Sequence, residues 1–205
     1  MHIYAFGSIC RGDIDRMSDI DLLAIVEGFD DHLDPARFSI YGYPKMMQLW
    51  QSGNPFAWHL HVEAKLLYAS DDRDFLGDLE EPNPYLAVAS DCVTFKNLFE
   101  DAAAALEADS PSPTFELSTL FLAIRNFATC FALGRLGLPE FSRQSALRIG
   151  EHSLMIDRPI FSVLERCRIL STRGWGMLPD RHEVEDVRKA LPTIRAWMQN
   201  RTEEI

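Results

Sequence analysis

Two short apolar runs near the start of the chain enclose a stretch rich in glycine, serine and aspartate. The runs are His2–Phe6 and Ile20–Val26, and both are rich in residues that favour strands. Gly7-Ser8 follows the first run, while Asp19 and Asp21 lie at the start of the second. Because residues i and i+2 of a strand face the same way, the two carboxylates should project together. Two like charges so close cost free energy unless a cation lies between them.

The same residues fit the chemistry of a metal-nucleotide site. Carboxylate oxygens suit Mg²⁺, which usually binds through one or two carboxylates together with substrate phosphates. Gly7 lets the backbone approach a ligand closely, and the Ser8 hydroxyl and the amides after it can donate hydrogen bonds to phosphate oxygens. A D-x-D pair after a glycine turn is common on protein surfaces. The prediction therefore depends on the order and spacing of the glycine, serine and aspartate residues together.

The segment GSICRGDIDRMSDIDLL resembles the G-S-x-x-x-G-x-x-x-x-x-S-D-I-D signature of the DNA polymerase β-like nucleotidyltransferase superfamily, in particular its small stand-alone members. The resemblance implies a nucleoside triphosphate, ATP in our expectation, bound through two Mg²⁺ ions about 3.5–4 Å apart. It implies in-line transfer of the nucleoside monophosphate, here AMP, to a hydroxyl of a small-molecule or protein acceptor. The catalytic and metal-binding residues would be Asp19 and Asp21, and the nucleotide-binding residues would be Gly7, Ser8, Arg11 and Ser18.

The superfamily normally supplies a third carboxylate from a later strand. We expect that strand near residues 36–41, which carry no acid, although Asp34 lies just before them. We expect a further strand in HLHVEAK, where alternation would place His59, His61, Glu63 and Lys65 on one face. Glu63 is therefore our candidate for the third catalytic carboxylate. The alternatives are an ion pair between Glu63 and Lys65, or two side chains that face water.

His59 and His61 allow three interpretations. Zinc is disfavoured, because no cysteine or further histidine lies at ligand spacing. One histidine could accept a proton during the reaction, since its ordinary pKa suits base chemistry at neutral pH. Satisfied structural histidines are the third interpretation and the one we favour.

The net charge of −11 is distributed unevenly along the chain. Residues 1–134 hold 8 basic and 21 acidic residues, whereas residues 135–205 hold 12 and 10. An acidic first part is unsuited to a long nucleic acid, because such binding requires many neutralised phosphates. A single nucleotide with its metal ions is the better ligand.

Cysteine usage and the apolar segments favour the cytoplasm. The four cysteines are widely separated with no C-x-x-C pair, which is typical of reduced residues. Met1 leads directly into the first strand, so we expect no signal peptide. The longest apolar run, 115–138, contains Glu116, Arg125 and Arg135, and we therefore expect no membrane span.

The second half has helical periodicity. An acidic segment ending in two prolines, 71–84, predicts a linker between a nucleotidyltransferase-like domain at 1–80 and a helical domain at 85–205. The fold class predicted is α+β, a small mixed-sheet domain followed by an antiparallel helical bundle. Helices are expected over 85–108, 114–134, 142–150, 160–170 and 183–200.

This arrangement is similar to aminoglycoside nucleotidyltransferases and to the paired nucleotidyltransferase and helical proteins of toxin–antitoxin systems. In the helical partner of such pairs, Arg-Asn followed by His forms a ribonuclease site. Here no histidine follows Arg125-Asn126, so we expect Arg125 to be structural. Two alternatives to an enzyme remain open: a nucleotide-binding protein with little turnover, and an antitoxin-like interaction protein. A homodimer is a further expectation, because one side of the sheet lacks the helix that often precedes it.

Overall fold

The computed structural model describes residues 1–13, 20–28 and 30–205. These residues divide into two compact units, Met1–Leu86 and Ala87–Ile205. The first unit contains a mixed sheet and the second is helical, which confirms the predicted α+β class.

The first unit is built on a four-stranded sheet. Its strands are β1 (His2–Phe6), β2 (Asp21–Val26), β3 (Phe38–Gly42) and β4 (Lys65–Ala69). Their order is β3-β2-β1-β4, with β1 antiparallel to both β2 and β4, and β2 parallel to β3. The strand expected near residues 36–41 is confirmed as β3, and it carries no acid. This order places β2, with Asp21 at its start, in the middle of the sheet.

Within the described part of this unit, three helices accompany the sheet: α1 (Ser8–Arg11), α2 (Tyr43–Gln51) and α3 (Pro55–Glu63). The shared core has alternate residues of β1 and β2 on one side and residues of α2 and α3 on the other. Its buried members are Tyr4, Phe6, Leu23, Ile25, Met46, Trp50, Ala57, Leu60 and Leu76. Strand alternation therefore determines which face of β1 and β2 meets α3.

Helix α3 corrects one prediction. The segment HLHVE is helical and not a strand, and β4 begins only at Lys65. The helix begins where Asn54 accepts a hydrogen bond from the Phe56 amide and Pro55 takes the first helical position. Both are favoured at a helix start, and they outweigh the two-residue alternation.

The second unit contains four long helices within the described residues. They are α4 (Val88–Glu107), α5 (Pro113–Phe131), α6 (Arg158–Arg173) and α7 (Arg181–Glu203), and a π-helical turn at Ala132–Leu136 extends α5. Helix α5 packs against the other three. Cys92, Cys130 and Cys167 are buried in this unit as free cysteines.

The helix predicted over 142–150 is wrong. That segment forms two short 3₁₀ turns, Ser145–Leu147 and Gly150–His152. The Ser142 hydroxyl accepts a hydrogen bond from the Gln144 amide. Serine side chains that bond the nearby backbone compete with α-helix formation, and this accounts for the broken helix.

The apolar helix of this unit is a core helix. Pro113–Leu136 is the only helix among the described residues that is long and apolar enough to cross a membrane. In the structure, 67% of its most apolar window is buried inside the protein. Its apolar side chains therefore pack against the other helices of the unit.

Candidate nucleotide site

The turn after β1 is set by two glycines. Gly7 has φ +79° and ends the strand, and Gly12, with the same φ, ends the single turn of α1. The amides of Cys10 and Arg11 both donate hydrogen bonds to the Gly7 carbonyl oxygen. Because L side chains rarely adopt such φ values, glycine is required for this short turn.

Gly7 lies directly against the carboxylate of Asp21. Phe6 pairs with Asp21 across β1 and β2, which brings the next residue beside the start of β2. A Cβ atom on Gly7 would overlap Oδ2 of Asp21. Glycine is therefore needed here for space as well as for φ, because the carboxylate of the half-buried Asp21 lies too close to the position that a Cβ atom would take.

Asp21 shares a face of the sheet with α3. Directly paired residues of antiparallel strands lie on the same face, so Asp21 is on the side of Phe6. The Phe6 ring meets the His59 ring edge-on, with 5.5 Å between ring centroids. The candidate metal ligand thus lies on the side of the sheet that α3 covers.

A charged cluster connects α1 to the end of α3. The Arg11 guanidinium donates from Nη1 to Oε2 of Glu63 at 2.5 Å, and from Nε to Oδ2 of Asp13 at 3.3 Å. His59 Nε2 lies 2.8 Å from the same Oε2 of Glu63, one helical turn earlier on α3. The Glu63 side chain is only 4% exposed. A buried carboxylate needs such partners, and Glu63 has two of them on one oxygen.

This cluster lowers the pKa of Glu63. Burial raises it, but the hydrogen bonds from His59 and Arg11 and the positive charges that they bring outweigh burial. The pKa of Arg11 is raised overall, because burial lowers it and the bonds to Glu63 and Asp13 more than compensate. Glu63 is therefore ionised at neutral pH, and Arg11 stays charged.

Cys10 lies within range of the same charges. Burial raises the pKa of its thiol, the carboxylates of Glu63 and Asp21 raise it further, and Lys65 and Arg11 lower it. The residue therefore lies close to the candidate site but is a neutral thiol at physiological pH.

Because α3 is a helix, His59 and His61 do not lie on the same face, as a strand would have placed them. His59 and Glu63 share a face because they are four residues apart, whereas His61 and Lys65 do not join them. His61 instead packs edge-on against Trp50 and Trp58, with ring centroids 6.2 and 6.0 Å apart. The prediction that all four residues line one strand face is wrong, and the ion pair of Glu63 is with Arg11.

A cation lies beside Asp21, one residue before the strand on which we expected the third carboxylate. In the parallel register Leu22 pairs with Phe38, so Arg37 lies beside Asp21 one position earlier. Both residues line a cavity of about 470 Å³ at this end of the sheet. Arg37 is exposed, and its Nε is 3.8 Å from Oδ2 of Asp34. Sequence reasoning missed Arg37, because only the register brings it beside Asp21.

Two predicted site residues, Ser18 and Asp19, lie outside the described residues. Of the others, the structure brings Gly7 to Asp21 and Arg11 to Glu63, while Ser8 is buried at the start of α1. The carboxylate oxygens of Asp21 and the close approach that Gly7 allows are suited to a Mg²⁺ ion and a phosphate. One separate group of possible metal ligands is found among the described residues, Asp30, Asp31 and His32, on a loop. Exposed acidic groups are common without an ion, so it carries no assignment.

Arg125 is held by backbone of its own unit. Its Nη2 donates to the Phe141 carbonyl oxygen at 2.9 Å and its Nε to that of Ser142 at 3.4 Å. The Ser145 hydroxyl donates in turn to the Arg125 carbonyl oxygen. The side chain joins α5 to the segment of 3₁₀ turns, which is a structural role.

Comparison with known proteins gives a match for the first unit. Residues 2–87 match the family model described as a nucleotidyltransferase domain. Neither the curated proteins nor the solved structures give a match to this chain. The matched range coincides with the sheet and helices of the first unit, Met1–Leu86. The first unit therefore matches the nucleotidyltransferase domain family, whose general chemistry is nucleotidyl transfer, and its mixed sheet is consistent with a fold of the DNA polymerase β-like kind.

Proposed function

We propose that the protein transfers a nucleoside monophosphate from a nucleoside triphosphate to a hydroxyl of a small-molecule or protein acceptor. The observation that carries the proposal is the fit of Gly7 against Asp21. This contact brings the glycine turn of the signature next to one of the signature's carboxylates. ATP is the expected nucleotide, with transfer of AMP, and the cytoplasm is the expected compartment.

The reaction exchanges a phosphoanhydride bond of the triphosphate for a phosphoester bond to the acceptor. The acceptor oxygen forms a bond to the α-phosphorus, the bond from that phosphorus to the bridging oxygen breaks, and pyrophosphate leaves with that oxygen. The hydroxyl proton passes to solvent. Asp21 and, by the signature, Asp19 would hold Mg²⁺, which supplies neutralising charge to the phosphates and lowers the pKa of the attacking hydroxyl.

The protein's own groups bind and orient the triphosphate. Gly7 allows the phosphates to approach the backbone, Ser8 follows it, and Arg11 contributes a positive charge four residues after Gly7. Ser18 is expected to orient Asp19. With the triphosphate bound in this way, the acceptor hydroxyl would approach from the cavity that is lined by Asp21 and Arg37.

The acceptor pocket favours a neutral or anionic acceptor. Arg37 stands beside Asp21, one residue before β3, the strand on which we expected the third carboxylate. A polycationic acceptor such as an aminoglycoside would meet this charge directly, and like charges at close range oppose binding. Replacing Arg37→Glu should therefore raise the use of cationic acceptors relative to neutral ones.

A second candidate function is nucleotide binding without turnover. It is favoured by the absence of an acid on β3 and by the occupation of Glu63 Oε2 by Arg11 and His59. The test is an incubation with α-labelled triphosphate, Mg²⁺ or Mn²⁺, and a panel of aminoglycosides, neutral and acidic metabolites, cell protein and the chain itself. Label on any acceptor supports the transferase, whereas clear nucleotide binding with no transfer to any acceptor supports the binding protein.

A further inference from the structure

We infer that Glu63 and His59 are positioning residues that hold Arg11 in place for the triphosphate. Asp13 accepts a hydrogen bond from Nε of the Arg11 guanidinium until a phosphate displaces it. The inference rests on the proposed function, because it assigns how the same site recognises its triphosphate. It gives Glu63 a role other than that of a third metal-binding carboxylate.

The two carboxylates that contact Arg11 differ in distance and in burial. Glu63 is reached at 2.5 Å and its side chain is 4% exposed, whereas Asp13 is reached at 3.3 Å and its side chain is 41% exposed. An exposed ion pair contributes little, because water can replace either partner. A buried carboxylate that loses its partner leaves an uncompensated charge. A competing anion should therefore displace Asp13 and leave Glu63 in place.

Arg11 has the capacity to bind phosphate while it stays bound to Glu63. A guanidinium carries five N–H donors in a planar fork that matches phosphate oxygens. Its bond to Glu63 uses Nη1 and its bond to Asp13 uses Nε. Arg11 closes the short turn that begins after Gly7, and Gly7 abuts Asp21. The triphosphate expected at that turn thus lies within the neighbourhood of the guanidinium.

His59 completes the support for Arg11. Its Nε2 contacts the same Oε2 of Glu63 at 2.8 Å, and its ring packs against Phe6 of β1. The Glu63 oxygen is therefore fixed from two sides, by α1 and by the preceding turn of α3. With these two partners, Glu63 Oε2 is placed to orient Arg11. A metal ion bound to this oxygen would have to replace the contacts with Arg11 and His59.

The test uses magnesium tripolyphosphate, which requires neither the correct base nor the acceptor. Isothermal titration of the full chain gives its dissociation constant. Asp13→Asn should tighten binding about two- to fivefold, the equivalent of one exposed ion pair. Glu63→Gln should weaken it about tenfold or more, as expected when a charge-assisted hydrogen bond is lost. His59→Gln should weaken it in the same direction by less.

Binding of Mn²⁺, followed by electron paramagnetic resonance, separates positioning from metal ligation. Glu63→Gln should keep the Mn²⁺ affinity of the unchanged protein, whereas Asp21→Asn should lose it. A Glu63→Gln variant that loses Mn²⁺ as Asp21→Asn does would overturn the positioning role. Asp13→Asn with unchanged or weaker tripolyphosphate binding would overturn the displacement.

Two controls keep the outcomes separate. Circular dichroism confirms that each variant is folded, and Arg11→Lys supplies a milder probe if Glu63→Gln unfolds. Arg11→Lys keeps the charge but loses the fork, so it should weaken tripolyphosphate binding with Mn²⁺ affinity unchanged, and equal binding would contradict the inference. If the unchanged protein does not bind magnesium tripolyphosphate, the proposed function fails with it. If it binds and the variants have no effect, only the inference fails.

Discussion

Gly7 and Asp21 are in contact so close that the hydrogen on the Gly7 Cα cannot be replaced by a carbon without displacing the Asp21 carboxylate. The contact follows from the pairing of Phe6 with Asp21 across β1 and β2. Within the described residues it is the most direct link between the glycine turn and an acidic side chain of the signature.

Gly7→Ala should abolish binding of magnesium tripolyphosphate. The new Cβ overlaps Asp21 Oδ2, so the carboxylate must turn away or the turn must shift. Gly12→Ala is the matched control, since Gly12 has the same φ of +79° but no described atom lies within 4 Å of the position that its Cβ would take. Both variants should lose about 1 kcal/mol of unfolding free energy from backbone strain. Only Gly7→Ala should lose binding by calorimetry, and equal losses in the two variants would contradict the role of the contact.

Asp21→Asn should reduce Mg²⁺-dependent nucleotide binding by about a hundredfold or more, because a neutral amide is a poor ligand for Mg²⁺. Its thermal midpoint should change little, since the side chain is half-buried at the end of a strand. Asp31→Asn is the control, because Asp31 is exposed and belongs to the separate loop group with Asp30 and His32. Calorimetric titration with Mg²⁺ and nucleotide should give an unchanged affinity for Asp31→Asn. Loss of binding in Asp31→Asn alone would move the metal site to that loop.

The ion pair of Glu63 should make stability depend on pH. Its pKa is lowered in the folded protein from the ordinary 4.5, so its contribution is present above pH 4.5 and is lost as the pH falls through the folded value. Urea unfolding from pH 3 to 7 measures this. The difference in unfolding free energy between the unchanged protein and Glu63→Gln should be largest above about pH 5 and shrink below pH 4.5. A difference that stays constant over that range would show that Glu63 is not ionised in the folded state.

The cap of α7 should stabilise the second unit. Asp180 accepts from the Glu183 amide at 2.9 Å, and Glu183 accepts from the Asp180 amide at 3.0 Å, which forms a capping box. Asp180→Ala should lower the unfolding free energy by about 1 kcal/mol. The matched control is Asp157→Ala at the start of α6, where the side chain makes no capping bond to the described residues and a smaller change is expected. Thermal unfolding followed at 222 nm compares them, and equal losses would remove the capping explanation.

The sheet can be predicted because its strands have a local signal. His2–Phe6 and the run that ends at Val26 are apolar and bounded by glycine or acidic residues, and both form strands. The segment before Lys65 misleads because its alternation fits a strand, while Asn54 and Pro55 mark a helix start. Capping residues are the better guide there.

The partners in the candidate site cannot be predicted from the sequence, because they depend on tertiary contacts. Arg11 and Glu63 are 52 residues apart and meet only when α1 and α3 pack on one side of the sheet. Arg37 stands beside Asp21 only through the parallel register of β2 and β3. Neither contact follows from a fixed spacing in the sequence. The glycine, serine and aspartate residues of the signature do have a fixed spacing, so they could be predicted.

Nucleotidyl transfer at the Gly7–Asp21 site is tested most directly by counting pyrophosphate released against α-label transferred, with the unchanged protein and Asp21→Asn side by side. The unchanged protein, given Mg²⁺, α-labelled triphosphate and the acceptor panel, should release one pyrophosphate for each label transferred. Asp21→Asn should remain folded and do neither. Transfer that survives Asp21→Asn, or tight nucleotide binding with no label on any acceptor, would contradict nucleotidyl transfer at this site.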